Sequence, residues 1–222
     1  MVDESRLANI QTIVFDYDGT LHDSTANYIV AFKRAYEFLV ERRQAVPRVW
    51  KDDEITKWLG YSSKDMWRNF MPNLSLEYQT QASKIIGDTL LEKVVSYEAN
   101  LYPQALETME YLKNKGYRLV FLSNCSEDYL NAHRKVFRLS DYFDDLFCTE
   151  SFGYIPKYAI FDEIRQRYPA EFLIVGDRSH DFEIGLHHQL LTVGCNYGFG
   201  TDKELKQADV RIDAIRDLQD LL

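Results

Sequence analysis

Two aspartates one residue apart, Asp16 and Asp18, stand at the end of the short apolar run Ile13-Val14-Phe15. In extended backbone alternate side chains point the same way, so both carboxylates start on one face. Held that close they repel, and burying even one of them is costly. A cation between them, or a shared proton, would relieve the repulsion. Gly19 and Thr20 follow, and they are turn chemistry. An acidic turn after a strand fits the stretch from Ile13 to Thr20 nearly as well as an active site does.

The stretch Asp16-Tyr17-Asp18-Gly19-Thr20-Leu21 resembles the first motif of the haloacid dehalogenase (HAD) superfamily, whose members are mostly phosphatases. The resemblance implies that Asp16 is a nucleophile and Asp18 a general acid/base. It also calls for three further motifs in a set order. Ser123-Asn124, closing the apolar run Leu119–Leu122, fits the second. A hydroxyl and exposed backbone N–H groups there suit a phosphoryl oxygen, although a polar helix cap would look the same. Lys157 fits the third, as the only lysine between Lys135 and Lys203 and at the start of a helical stretch. A cation there would offset the charge of nucleophile and phosphate together, whereas most lysines are merely solvated. Pro156 precedes Lys157, where the family more often has proline after the lysine. A long ammonium stem can absorb such a shift.

Gly176-Asp177-Arg178-Ser179-His180-Asp181 fits the fourth motif, following the apolar Leu173-Ile174-Val175. Hard oxygen ligands converging there point to Mg²⁺. The implied ligands are Asp16, Asp177, Asp181 and the backbone carbonyl of Asp18. The implied reaction is hydrolysis of a phosphomonoester through an aspartyl-phosphate, with Ser123, Asn124 and Lys157 holding the phosphoryl oxygens. Dehalogenases of the superfamily lack an aspartate at the Asp18 position, which argues against dehalogenation. A β-phosphoglucomutase-like phosphotransferase would use the same four motifs. A phosphonatase would need a cap lysine, with Lys57 and Lys64 the nearest candidates. An inactive interaction module would lack Asp16, Asp18 or Asp177, and none is missing.

These residues need a scaffold that gathers strand ends. Helical and apolar-strand patterns alternate from Tyr102 to the last residue, which argues an α/β fold with a parallel, Rossmann-like sheet covered on both faces. Ligands bind beyond the carboxyl ends of such strands. Residues 24–95 read instead as helix throughout. The organisation expected is a HAD-like core from 1–22 and 98–222, with a helical cap from 23–97. Such a cap would select the leaving group and exclude water. Gly60 and Tyr61 resemble the loop that cap domains point at the active site, and Lys64 and Arg68 would meet an anionic leaving group. The ending, Val193 to Gly200 with Ala208-Asp209, resembles the phosphoglycolate phosphatase group.

Composition narrows the class. The chain has 222 residues, 45% hydrophobic and 27% charged, as in an ordinary globular protein. The net charge of −9 disfavours nucleic-acid binding. It is uneven: residues 24–97 hold 11 Lys and Arg against 9 Asp and Glu, the rest 15 against 26. A less acidic insertion would suit a lid over an anionic substrate. No apolar run approaches the roughly 20 residues that span a bilayer, so no membrane partner is expected. Three cysteines without metal spacing read as reduced core residues of a cytoplasmic protein. The partner expected is a small phosphorylated metabolite, and the oligomeric state a monomer or weak homodimer.

Overall fold

The computed structural model describes residues 4–169 and 171–222. A short helix α1 (Glu4–Leu7) leads into β1 (Thr12–Phe15), all four residues of which are buried. Strands β4 (Arg118–Ser123), β5 (Asp145–Cys148), β6 (Phe172–Gly176), β7 (Leu191–Cys195) and β8 (Val210–Ile212) complete one sheet. Its order is β5-β4-β1-β6-β7-β8, with every pair parallel. The α/β, Rossmann-like reading therefore holds. Near-continuous apolar runs, rather than alternation, mark strands buried on both faces.

The period of two divides the sheet's side chains between two cores. Ile13, Phe15, Leu119, Phe121 and Leu173 pack on one side with α6 (Ala105–Asn114) and α7 (Glu127–Val136). Val14, Val120, Leu122 and Ile174 pack on the other with α8 (Lys157–Arg167) and α9 (Ser179–His188). Register places Phe15 level with Phe121 on one neighbour and Val175 on the other. The three polar strand ends, Asp16, Ser123 and Asp177, are thereby adjacent.

Between β1 and α6 the chain makes four helices and a two-stranded ribbon. The helices are α2 (Thr25–Glu41), α3 (Asp52–Thr56), α4 (Ser63–Phe70) and α5 (Leu76–Val95). They share an apolar core of their own, including Phe32, Leu39, Ile55, Trp67 and Ile86. The ribbon pairs β2 (His22–Asp23) with β3 (Asn100–Leu101), antiparallel, where the chain enters and leaves the helices. A two-residue strand carries no periodicity, so this ribbon is invisible in the sequence.

Local capping sets several helix starts. Ser62 caps α4, its hydroxyl accepting from the Asp65 amide. Ser24 occupies the N-cap position of α2 but makes no capping bond. Residues 24–95 read as helix throughout, but α3 stops at Thr56 and Trp58 to Gly60 form a turn. Helix α9 begins at Ser179, and the Asp181 carboxylate accepts the Arg178 amide at its N-terminus. All three cysteines are buried and free of disulfides. Among the described residues no helix is long and apolar enough to cross a membrane.

Candidate active site

Lys157 is the first residue of α8, after Pro156 at the N-cap, and its side chain is only 3% exposed. Its ammonium donates to Asp16 Oδ1 at 2.6 Å and to Asp181 Oδ1 at 2.7 Å. The unusual Pro-Lys order is thus absorbed by the lysine stem. Asp181 Oδ2 accepts the backbone N–H groups of Asp177 and Arg178. Asp177 Oδ2 accepts the Phe199 amide at 2.6 Å, while Oδ1 is buried without a hydrogen bond.

Oxygens of Asp16, Asp177 and Asp181 lie within 4.8 Å of one another. Three buried carboxylates against one ammonium leave an excess of negative charge, and one buried carboxylate oxygen has no donor. Both observations fit a hard divalent cation, whose preferred ligands are oxygens. Gly19, at φ +90°, closes this corner, where a Cβ would collide with the Asp177 carboxylate.

Protonation follows the same geometry. Burial pushes the Asp16 carboxyl up to about 7, helped by Asp181 and opposed by Lys157. Burial, with Asp16 and Asp181, raises Asp177 well above the carboxylate range. Burial pulls Lys157 down, but Asp16 and Asp181 outweigh it and hold the ammonium charged.

The Asp18 carboxylate stands apart from the cluster. Its Oδ1 meets His22 Nδ1 at 2.7 Å and accepts from the Tyr129 hydroxyl at 2.9 Å. Burial would raise its pKa, but the hydrogen bond and charge of His22, with His133 and Tyr129, hold it below the usual range. A second buried pair backs this one. The Tyr17 hydroxyl and His133 Nδ1 are 2.7 Å apart, and the His22 and His133 rings lie 4.6 Å apart. The metal role expected of Asp18 runs through its backbone carbonyl, and its carboxylate is not part of the acidic cluster.

Asp16, Asp18, Ser123 and Asn124 line one end of a cavity of about 440 Å³ between the sheet and the inserted helices. Gly60 and Tyr61 line it too. Asn124 does more than expected, since its Nδ2 donates to the Gly60 carbonyl at 3.2 Å. Lys64 and Arg68 do not line the cavity. Lys64 is exposed, and Arg68 pairs with Asp65 at 2.7 Å on the outer surface. Helical geometry accounts for this: Met66 and Trp67 take the buried face of α4 and turn their polar neighbours out.

Arg178 is a site residue that sequence reasoning does not single out. It is 4% exposed, donates from Nε to Glu204 Oε1 at 3.0 Å, and donates from a terminal nitrogen to the Leu59 carbonyl. Its guanidinium lies over the Tyr61 ring. Gly60, at φ +81°, passes so close that a Cβ would meet Arg178 Cγ at 2.9 Å. The only sequence signal is its place inside the fourth motif, beside Asp177. Tyr129 and His22 escape the sequence reading as well, Tyr129 as an ordinary buried-face residue of α7 and His22 because its two-residue strand carries no pattern.

The family model for haloacid dehalogenase-like hydrolases matches residues 10–187. The chain belongs to that family. Among curated HAD-like relatives, a phosphoglycolate phosphatase of Aquifex aeolicus is 28% identical over 181 residues, spanning 79% of this chain and 80% of the relative. A phosphoglycolate phosphatase of Vibrio vulnificus is 25% identical over 226 residues, spanning 96% of each. The crystal structure of a predicted phosphoglycolate phosphatase from Haemophilus somnus superposes with a TM-score of 0.80 at 22% identity, covering 96% of this chain and 97% of that one. This HAD-like hydrolase shares its fold with that structure over nearly its whole length.

Proposed function

We propose that the protein is a Mg²⁺-dependent phosphatase acting on a small phosphomonoester through an aspartyl-phosphate on Asp16. The observation that carries this reading is the buried Lys157 ammonium shared by Asp16 and Asp181, directly behind the point where Asp16 lines the cavity. Asp16, Asp177, Asp181 and the Asp18 carbonyl would hold Mg²⁺. When bound, the ion supplies Lewis-acid stabilisation of the phosphoryl charge.

The Asp16 carboxylate attacks phosphorus, forming a P–O bond as the ester P–O bond breaks. Asp18 gives its proton to the departing alcohol oxygen. A phosphoryl dianion nearby disfavours the Asp18 anion, so substrate itself promotes uptake of that proton. His22 and Tyr129 share Oδ1, which leaves Oδ2 to move it. Water then attacks the phosphorus of the aspartyl-phosphate, Asp18 takes the water's proton, and Asp16 is released with inorganic phosphate. Ser123, Asn124 and Lys157 hold the remaining phosphoryl oxygens. Residues 23–97 form a cap that excludes water.

The relatives' names make phosphoglycolate the first compound to assay. The test is phosphate release from a panel of phosphomonoesters with and without Mg²⁺, with Asp16→Asn as control. Equal release by wild type and Asp16→Asn overturns the mechanism, and indifference to Mg²⁺ overturns the metal.

A further inference from the structure

The cavity extends well past the catalytic floor, and its far part has a chemistry of its own. Tyr28, Trp58, Met66, Ile86, Leu90 and Leu91 form apolar walls. Beyond Asp16 and Asp18, its charged lining consists of Lys84, Asp88, Asp128 and Glu150. The ammonium of Lys84 is already held by Asp88 at 2.9 Å. Three carboxylates against one paired ammonium, all on exposed residues, leave the cavity's outer lining with an excess of negative charge. The buried cations nearby are engaged elsewhere, Lys157 with Asp16 and Asp181, Arg178 with Glu204 and the Leu59 carbonyl.

Glycolate or phosphate as leaving group would bring a second anion into this chamber. Desolvating it among apolar walls without a cation is costly. Neutral donors are nonetheless present. Ser24 Oγ and Trp58 Nε1 are both buried without a hydrogen-bond partner, and both residues line the cavity. They suit an uncharged polar group such as a hydroxyl. A volume of about 440 Å³ falls in the range of sites for ring-sized ligands, about 300–1,000 Å³.

Resting on the phosphatase reading, we propose that the chamber takes the monophosphate of an uncharged, ring-bearing alcohol and disfavours an anionic leaving group. Tyr28, Trp58, Ile86 and Leu90 pack the ring, Ser24 and Trp58 Nε1 answer its polar edge, and the acidic rim excludes carboxylates.

Binding tests this apart from turnover. Asp16→Asn, with Mg²⁺, is titrated calorimetrically with 2-phenylethyl phosphate and with phosphoglycolate. The expected result is affinity at least about tenfold higher for the phenylethyl ester, the scale on which apolar pockets discriminate. Equal or tighter binding of phosphoglycolate overturns the inference. Trp58→Ala, added to Asp16→Asn, narrows the gap to less than about threefold. Leu91→Lys, at a half-buried position of α5, tightens phosphoglycolate and weakens the phenylethyl ester, and it decides the matter if the tryptophan variant fails to fold. Turnover is read separately in wild type: if no phosphomonoester is hydrolysed above the Asp16→Asn background, the phosphatase reading fails while the binding ratio still judges the chamber.

Discussion

The Lys157 ammonium lies 2.6 Å from Asp16 Oδ1, although 141 residues separate them. Both side chains are almost wholly buried, so the pair is one charge system and cannot be altered on one side alone. Lys157→Met leaves Asp16 and Asp181 uncompensated. A loss of about 3–5 kcal/mol is expected, or roughly 10 °C in the unfolding midpoint. Thermal unfolding at pH 8 without Mg²⁺ measures it, and a loss below about 1 kcal/mol would show that the pair carries little.

Asp177 supplies a prediction of opposite sign. Its Oδ1 is buried and unpartnered, and burial with two neighbouring carboxylates disfavours its charge. In the metal-free protein Asp177→Asn therefore raises the unfolding midpoint. Ligand that binds only the folded state stabilises it by mass action, so wild type gains midpoint on addition of Mg²⁺ and Asp177→Asn does not. Parallel melts of both proteins across a Mg²⁺ titration decide it. A metal response that survives in the variant removes Asp177 from the ligand set.

The same cluster sets a pH dependence. Asp16 titrates at about 7 folded against 3.8 as its ordinary value. Between those values the folded state binds more protons than the unfolded chain, so stability falls as pH rises from about 4 to 7. The raised Asp177 adds in the same direction. Lys157 stays charged throughout and contributes no slope there. Urea unfolding without Mg²⁺ should show greater stability at pH 5 than at pH 7.5, and Asp16→Asn should flatten part of that difference. A profile that rises over this window would contradict the charge arrangement.

Asp18 is held by His22 and Tyr129 through one oxygen. General acid catalysis matters most when the leaving oxygen is poor, and it is worth about 10²–10⁴ in rate. Tyr129→Phe should slow alkyl phosphates by about tenfold while an activated aryl phosphate such as p-nitrophenyl phosphate changes little, with KM nearly constant. Equal slowing of both classes would mean that Tyr129 serves only to pack. His22→Ala is expected to repeat the pattern more strongly.

Arg178 ties the Gly60 turn to the loop that carries Asp177. Gly60→Ala forces a side chain into the left-handed region and against the Arg178 stem. Arg178→Lys keeps the charge but loses the fork that reaches Glu204 and the Leu59 carbonyl together. Each should raise KM several-fold, with a smaller effect on kcat. Steady-state kinetics on any hydrolysed ester measures this, and an unchanged KM in both would detach the turn from substrate binding.

Much of this site is legible from residues alone because each of its parts is a local event. An apolar run stops at a polar residue, and in a parallel sheet those stops lie on one edge. Asp16, Ser123 and Asp177 can be read for that reason, as can the helices of 24–95, whose apolar spacing needs no partner to be seen. Lys64 and Arg68 cannot be placed in the same way. A helix of eight residues has an inner and an outer face, and charge alone does not say which face meets the site.

The sequence by itself determined the α/β sheet, the order of the four motifs and the kind of chemistry that Asp16 and Asp18 could perform. Only the tertiary structure decided what surrounds them: Lys157 between two carboxylates, His22 and Tyr129 on Asp18, Arg178 against the Gly60 turn, and an apolar chamber with an acidic rim. The physical reason is range. Strand and helix patterns are set within a few neighbours along the chain, whereas burial, charge balance and cavity lining arise between residues as far apart in the chain as Asp16 and Lys157.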